Sequence, residues 1–349
     1  MMPSEMSPAR KKKIKTLLSM MGKQNERFFP VVPPLVELMD LVIDDTELDY
    51  LIQMGTGLFD NNQAAKASNM FDEHFKSFFD TMKRKGLIHI EFDKNGNEEY
   101  RLNAIAVGWY EAMMHYMVGK PREKAFSEKW NELFKFFRKF NFFPLRDVQN
   151  LIMRKVLKPN QDTAIMNPEM EGMTKRKTIP INTTVTASGA QVYPTFLIND
   201  LVEEHGDQDA IYAFPCVCRR GNKLINSACD YDLPEVSCIA FGEGANTWAK
   251  WGYGRHVSKA DAIEILKEVR NKGAVHSVIH EKDNTSLPIS AICNCCWDCC
   301  GILKPYNMGA VSLKYNATFT AIEPAHKLKI DQNKLQNCRS NILNLVNVL

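Results

Sequence analysis

No cysteine precedes Cys216 in this chain of 349 residues, so disulfides spread along its length are excluded. Long apolar runs are missing as well: none approaches the ~20 residues that a spanning helix needs. Charge of one sign is not in excess, with 44 Lys and Arg against 41 Asp and Glu and a formal charge of +3. Such a chain has no bulk electrostatic reason to coat nucleic acid or an anionic membrane. The first residues, MMPSEMSPARKKKIK, are basic but lack the apolar core of a secretion signal. The expectation is a soluble, cytoplasmic protein. Nucleotide fingerprints are absent too: Gly242-Glu243-Gly244 lacks the trailing Gly-Lys-Thr of a phosphate loop, and no dinucleotide motif occurs. Hydrophobic residues at 45% and charged residues at 24% are those of an ordinary globular protein, here of two or three domains.

What the chain has is thiols, crowded together. Nine of its ten cysteines fall between Cys216 and Cys300, and the tenth is Cys338. Cys293, Cys295, Cys296, Cys299 and Cys300 sit too close for independent bridges. In a chain without a secretion signal, that density points to metal. Cys293-x-x-Cys296-x-x-Cys299 has the spacing that opens a bacterial ferredoxin run, in which one tight loop presents three thiolates to the irons of a cube. The usual fourth cysteine is missing, because position 303 is Leu, so a further ligand must come from elsewhere. Cys216, Cys218, Cys229 and Cys238 supply four more thiols, and two four-iron clusters would use eight of the nine. Zinc is the rival; it favours two short Cys-x2–4-Cys pairs, whereas this group has adjacent pairs at Cys295-Cys296 and Cys299-Cys300.

Along the chain, residues 1–30 read as a flexible basic arm, with Pro30, Pro33 and Pro34 marking entry to a domain over 31–158. From Leu35 to Tyr116 the pattern predicts three helices and a hairpin, the arrangement of a winged helix. Met70, Phe71, Phe75, Phe78, Phe79 and Met82 give one apolar helical face, and Gly86 is the stop after Lys83-Arg84-Lys85. Leu87–Phe92 and Glu99–Leu102 are strands around an Asn95-Gly96 turn. The candidate recognition helix, Ala64–Lys85, carries Asp72, Glu73 and Asp80, so a docking module is favoured over DNA binding. Residues 103–158 continue as helix with a dense aromatic stretch, and 159–178 are a polar linker.

A small α+β domain follows over 179–315. Thr178–Val185 suits a strand, Tyr193–His205 a helix, and Ala210–Phe214 a strand ending at Cys216. Ser258 and Asp261 form a capping box for a helix that ends at Gly273, before a strand at Ala274–Ile279. The fold class is thus α+β, a winged-helix-like domain followed by a ferredoxin-like sheet domain interrupted by cysteines. Arg219, Arg220 and Arg255 are candidate cations for tuning a cluster, or partners of Asp230, Asp232 or Glu235. His256, His276 and His280 are ordinary polar residues or ligands.

The ordered series Phe214-Pro-Cys-Val-Cys-Arg-Arg220, Cys229, Cys238-Ile-Ala-Phe-Gly242, Gly254-Arg-His-Val-Ser-Lys259, Gly273-Ala-Val-His276 and Ile292-Cys-Asn-Cys-Cys296 with Cys299-Cys300 resembles a family of bacterial and archaeal 4Fe-4S ferredoxin-type proteins of anaerobes. The resemblance implies a winged-helix-like front end, iron–sulfur clusters and electron transfer. It places Cys216, Cys218, Cys229, Cys238, Cys293, Cys295, Cys296, Cys299 and Cys300 at the family's cysteine positions. Where family members often have a further cysteine in the last group, Trp297-Asp298 stand here. Residues 316–349 then correspond to a degenerate, truncated ferredoxin-like tail that retains only Cys338.

The expected function is electron transfer with a redox partner protein, or as a subunit of an anaerobic oxidoreductase. The alternatives are a redox- or metal-sensing winged-helix regulator and an enzyme whose cluster has an open iron site.

Overall fold

A computed structural model describes residues 6–24, 30–140, 197–280, 289–301 and Lys304, apart from a few single positions within them. The expected linker at 159–178, the strand at Thr178–Val185, the tail at 316–349 and Cys338 lie outside the described residues. Helix and sheet are mixed and every strand pairing among the described residues is antiparallel, which is consistent with an α+β fold.

The basic arm is corrected first. Pro8–Met21 is a helix, α1, capped by Ser7, whose hydroxyl accepts from Arg10 N at 3.2 Å. Ile14, Leu17, Leu18 and Met21 are fully buried, a three-four spacing that puts one stripe into the core beneath the cations. Arg10 pairs with Asp40 at 2.5 Å and with Asp45, and Lys13 pairs with Asp49 at 2.5 Å. The cations thus tie α1 to α2 (Pro33–Asp40) and α3 (Asp45–Met54). Asp44 and Glu47 form a capping box at the start of α3, and Glu47 is buried against Lys85 Nζ at 2.7 Å.

The candidate recognition helix is two helices, α4 (Asn61–Ser68) and α5 (Asp72–Arg84), parted around Met70. Phe75, Phe79 and Met82 of α5 face the core. The hairpin is where the turn chemistry places it. β1 (Ile88–Phe92) pairs antiparallel with β2 (Glu98–Leu102), and the Asp93 carboxylate accepts from Asn95 N and Asn97 N at 2.7 and 2.8 Å. Gly86 ends α5 with φ +69°, and a Cβ there would lie 2.4 Å from Ala112 Cβ. Gly86→Ala is therefore expected to cost about 2–4 kcal/mol, from the left-handed backbone and the overlap together, measured as a lower urea midpoint at unchanged slope.

Beyond β2 the helix expected over 103–158 is interrupted. A π-helical turn (Ile105–Trp109) runs into α6 (Tyr110–Tyr116), and after a turn containing Gly119 the chain forms α7 (Glu123–Phe140); residues 141–158 lie outside the described residues. Trp130 stacks on Tyr110 at 3.9 Å, beside Phe126 and Phe134, so this part of the aromatic stretch is core.

The second half is one antiparallel sheet in the order β5-β3-β4-β7-β6. Its elements are α8 (Leu197–Gln208), β3 (Ile211–Pro215), α9 (Val217–Leu224), β4 (Val236–Phe241), α10 (Gly242–Lys250), β5 (Arg255–Val257), α11 (Lys259–Asn271), β6 (Val275–His280) and β7 (Ile289–Cys295). The Ser258–Asp261 capping box opens α11. Ile211, Ala213, Ile239, Phe241 and Ile292 point to one face and bury against α8 and α11. The alternate residues of β3 and β4, Tyr212, Phe214, Cys238 and Ala240, point to the other face, toward α10 and Tyr253. The two halves meet through that second face. Tyr253 Oη donates to Arg84 O at 2.9 Å, and Arg220 Nε donates to Glu123 Oε1 at 2.6 Å. Among the described residues, no helix is long and apolar enough to cross a membrane.

Candidate metal centre

β7 corrects the expectation that Cys293, Cys296 and Cys299 belong to one loop. Cys293 and Cys295 lie on the strand, two residues apart and so on the same face, while Cys296 begins the turn that follows. No disulfide joins any of the nine described cysteines. The sulfurs divide into two groups.

The first group is compact. The ligand atoms of Cys229, Cys296, Asp298 and Cys299 all lie within 4.8 Å of one another, with Cys229 Sγ 3.6 Å from Cys296 Sγ. Cys229 comes from the loop between α9 and β4, which turns at Asp232 with φ +46°. Cys296 and Cys299 come from the turn after β7, closed by Cys300 N donating to Cys296 O at 3.2 Å. Asp298 Oδ2 accepts from Asp230 N at 2.6 Å, leaving Oδ1 3.9 Å from Cys229 Sγ. Leu233, Val269 and Ala274 wall the group. The Cys299 thiol is pushed up by its Cys296 neighbour and by burial, while Cys296 is lowered as the acceptor of that pair. Asp298, which the cysteine spacing passes over, is the member that spacing could not identify.

The second group contains the other six thiols and is more extended. Ile239 pairs with Ile292 across β4 and β7, which sets Cys238 opposite Cys293 on the other face. The Cys238 thiol is raised by its contacts with the Cys216 and Cys293 thiols. Cys216, the N-cap of α9, is lowered by hydrogen bonds from Cys218 and Cys238, with Arg219 adding in the same sense. Cys218 is raised by Cys216 and by burial, and Cys295 is raised by Cys300 and by burial. The Cys218–Cys216–Cys238–Cys293 chain thus continues to Cys295 and Cys300 on the same sheet end. Buried sulfurs this close cannot all ionise unless a cation takes up their charge, and metal coordination deprotonates thiols outright.

One cation lies between the groups. Arg219 is 6% exposed and faces Cys216, Cys229 and Cys296. Its Nη1 donates to Ser237 Oγ at 2.9 Å and to Pro234 O, while the buried Nε has no hydrogen-bond partner. An orphaned donor beside two sets of thiols fits anionic metal–thiolate groups better than neutral thiols. The other flagged arginines do different work. Arg220 bridges Glu123 and Glu235, at 2.6 and 3.0 Å, and Arg255 is exposed on β5. Glu123 was not foreseen as a partner because it lies on α7, 97 residues away.

Of the histidines, His256 packs edge-on against Tyr212, and His276 Nδ1 donates to Asn294 Oδ1. Asn294, 1% exposed, also donates to Ser237 O, so it fastens β7 to β4 between Cys293 and Cys295. A small cleft opens beside Cys299, lined by Tyr110, Ser127, Trp130, Asn222 and Lys304. Asn222 Nδ2 donates to Cys218 O and to Cys299 O at 2.8 and 3.0 Å, so one side chain braces both groups. The chain matches no protein-family model, no curated protein and no solved structure.

Proposed function

We propose that this chain is an iron–sulfur protein that transfers electrons, as the redox partner or a subunit of an anaerobic oxidoreductase. The observation that carries the reading is the convergence of six thiols, Cys216, Cys218, Cys238, Cys293, Cys295 and Cys300, at one end of the β3-β4-β7 layer. Six sulfurs strung across a sheet end suit a polynuclear cluster, whose ligands go to different irons, better than one ion.

A 4Fe-4S cluster would supply one-electron storage there. The chain's own residues set its surroundings. Cys216 and Cys218 stand at the start of α9, where free amides favour an anion. Arg219 offsets the added negative charge of the reduced state, and the burial of Cys216, Cys295 and Cys300 excludes water. The α2–α5 helices with the β1–β2 hairpin, in a winged-helix-like arrangement, would dock the partner.

Protein purified without oxygen is expected to be brown and to give an electron paramagnetic resonance signal of a reduced four-iron cluster after dithionite. The Cys216→Ser/Cys238→Ser variant is expected to lose that signal at least tenfold. Colourless protein without acid-labile sulfide would overturn the proposal.

A further inference from the structure

We infer that Cys229, Cys296, Asp298 and Cys299 form a separate site for one tetrahedral zinc ion, chemically distinct from the six-thiol group. Mutual separation is the first reason. Zinc lies ~2.3 Å from sulfur and ~2.0–2.2 Å from a carboxylate oxygen, so tetrahedral ligand atoms lie roughly 3.3–3.8 Å apart. The four ligand atoms here are already within 4.8 Å of one another, and Cys229 and Cys296 are at 3.6 Å. A cube would hold each ligand on a different iron and spread them further.

Ligand type is the second reason. Cys296-x-x-Cys299 is the short pair that zinc sites use, and Cys229 adds the third thiolate. Asp298 supplies an oxygen, a ligand that zinc accepts. Its carboxylate is held for the purpose: Oδ2 takes the Asp230 amide at 2.6 Å, which turns Oδ1 toward the sulfurs. Such an outer hydrogen bond is how metal sites fix a ligand's direction.

Charge is the third. Three thiolates and a carboxylate around a divalent ion leave two negative charges, and Arg219, buried beside Cys229 and Cys296, offsets part of them. The ion would staple the Cys229 loop to the turn after β7, joining segments 67 residues apart in sequence. That is a structural role, in keeping with a closed set of four protein ligands.

The site does not depend on whether the six thiols hold iron, and one experiment separates the two. Elemental analysis of the full chain purified without oxygen is expected to give one zinc, with four irons and four sulfides, per chain. Eight irons, eight sulfides and no zinc would overturn this site but uphold the iron–sulfur reading. One zinc without iron would do the reverse. Asp298→Asn, which keeps size and shape, is expected to release zinc to a chelator 10–100-fold more readily while the iron signal is unchanged. Exchange of cobalt(II) for the zinc is expected to develop the intense visible bands of a tetrahedral thiolate site. Equal zinc retention in wild type and Asp298→Asn, or cobalt bands of an octahedral ion, would overturn the assignment.

Discussion

Replacing Arg219 with methionine is expected to destabilise the protein, in the metal-bound form proposed above, by about 3–5 kcal/mol, and to make the reduction midpoint of the proposed cluster more negative. The guanidinium is buried, and burial alone would lower its proton affinity. The charges of Cys216, Cys296 and Cys229 more than offset this and hold it firmly protonated. Its hydrogen bonds run to the strands and the loop beside them: Ser237 Oγ, Pro234 O and, more weakly, Asn294 O at 3.4 Å. Methionine fills similar space but leaves the thiolate charge uncompensated, and removing one member of a buried charge set carries a cost of that size. Lysine keeps the charge and loses the fork, so Arg219→Lys should recover the midpoint more fully than the stability. Arg220→Met is the control. It breaks the pairs with Glu123 and Glu235 at the junction of the two halves, so stability drops, but the midpoint stays. Anaerobic denaturation and a redox titration read both quantities. An unchanged midpoint in Arg219→Met would show that another group balances the charge of the proposed cluster.

These effects were only partly legible in the sequence. Locally encoded features were: the Asn95-Gly96 hairpin, the Ser258–Asp261 capping box and the stop at Gly86 each depend on a few adjacent residues. Helix α1 was hidden because Arg10-Lys11-Lys12-Lys13 dominates a segment whose apolar stripe of Ile14, Leu17, Leu18 and Met21 is short. The cysteine count indicated metal, but its division did not follow from spacing. Cys-x2-Cys-x2-Cys suggests one loop, yet β7 carries Cys293 up to the sheet end and leaves Cys296 to the turn. Strand alternation then decides which sulfurs meet, and it depends on pairing with β4, more than fifty residues earlier in the chain. The closeness of Cys229 to Cys296 is likewise non-local. Asp298 registered only with Trp297 as filler between cysteines, although a carboxylate is itself a ligand.

His115 was not singled out at all, and it carries the largest expected effect of pH. Its ring is 7% exposed at the junction of the two halves, stacked on Tyr253 at 5.3 Å and flanked by Trp248 and Phe214. Burial among these uncharged rings lowers its pKa to about 4; Cys216 opposes the shift and Arg220 adds to it. In the unfolded chain the group titrates near 6.5. Above that pH both states are neutral and the shift has no effect on stability. Between 6.5 and 4 the unfolded chain binds the proton and the folded one does not, so stability falls as the pH is lowered. The full loss is about 3 kcal/mol, from 1.36 kcal/mol per pKa unit. His115→Phe keeps the packing and removes the titration. The difference in stability between wild type and variant should therefore grow across this window and be flat above it. His276, also lowered by burial, titrates in both proteins and cancels in that difference. Urea denaturation at a series of pH values from 7.5 to about 4 measures it, and acid release of the proposed metals, which would be common to both proteins, is followed in parallel by elemental analysis. A difference that does not change with pH would mean that His115 opens to solvent, and that the two halves part at this junction more readily than its packing implies.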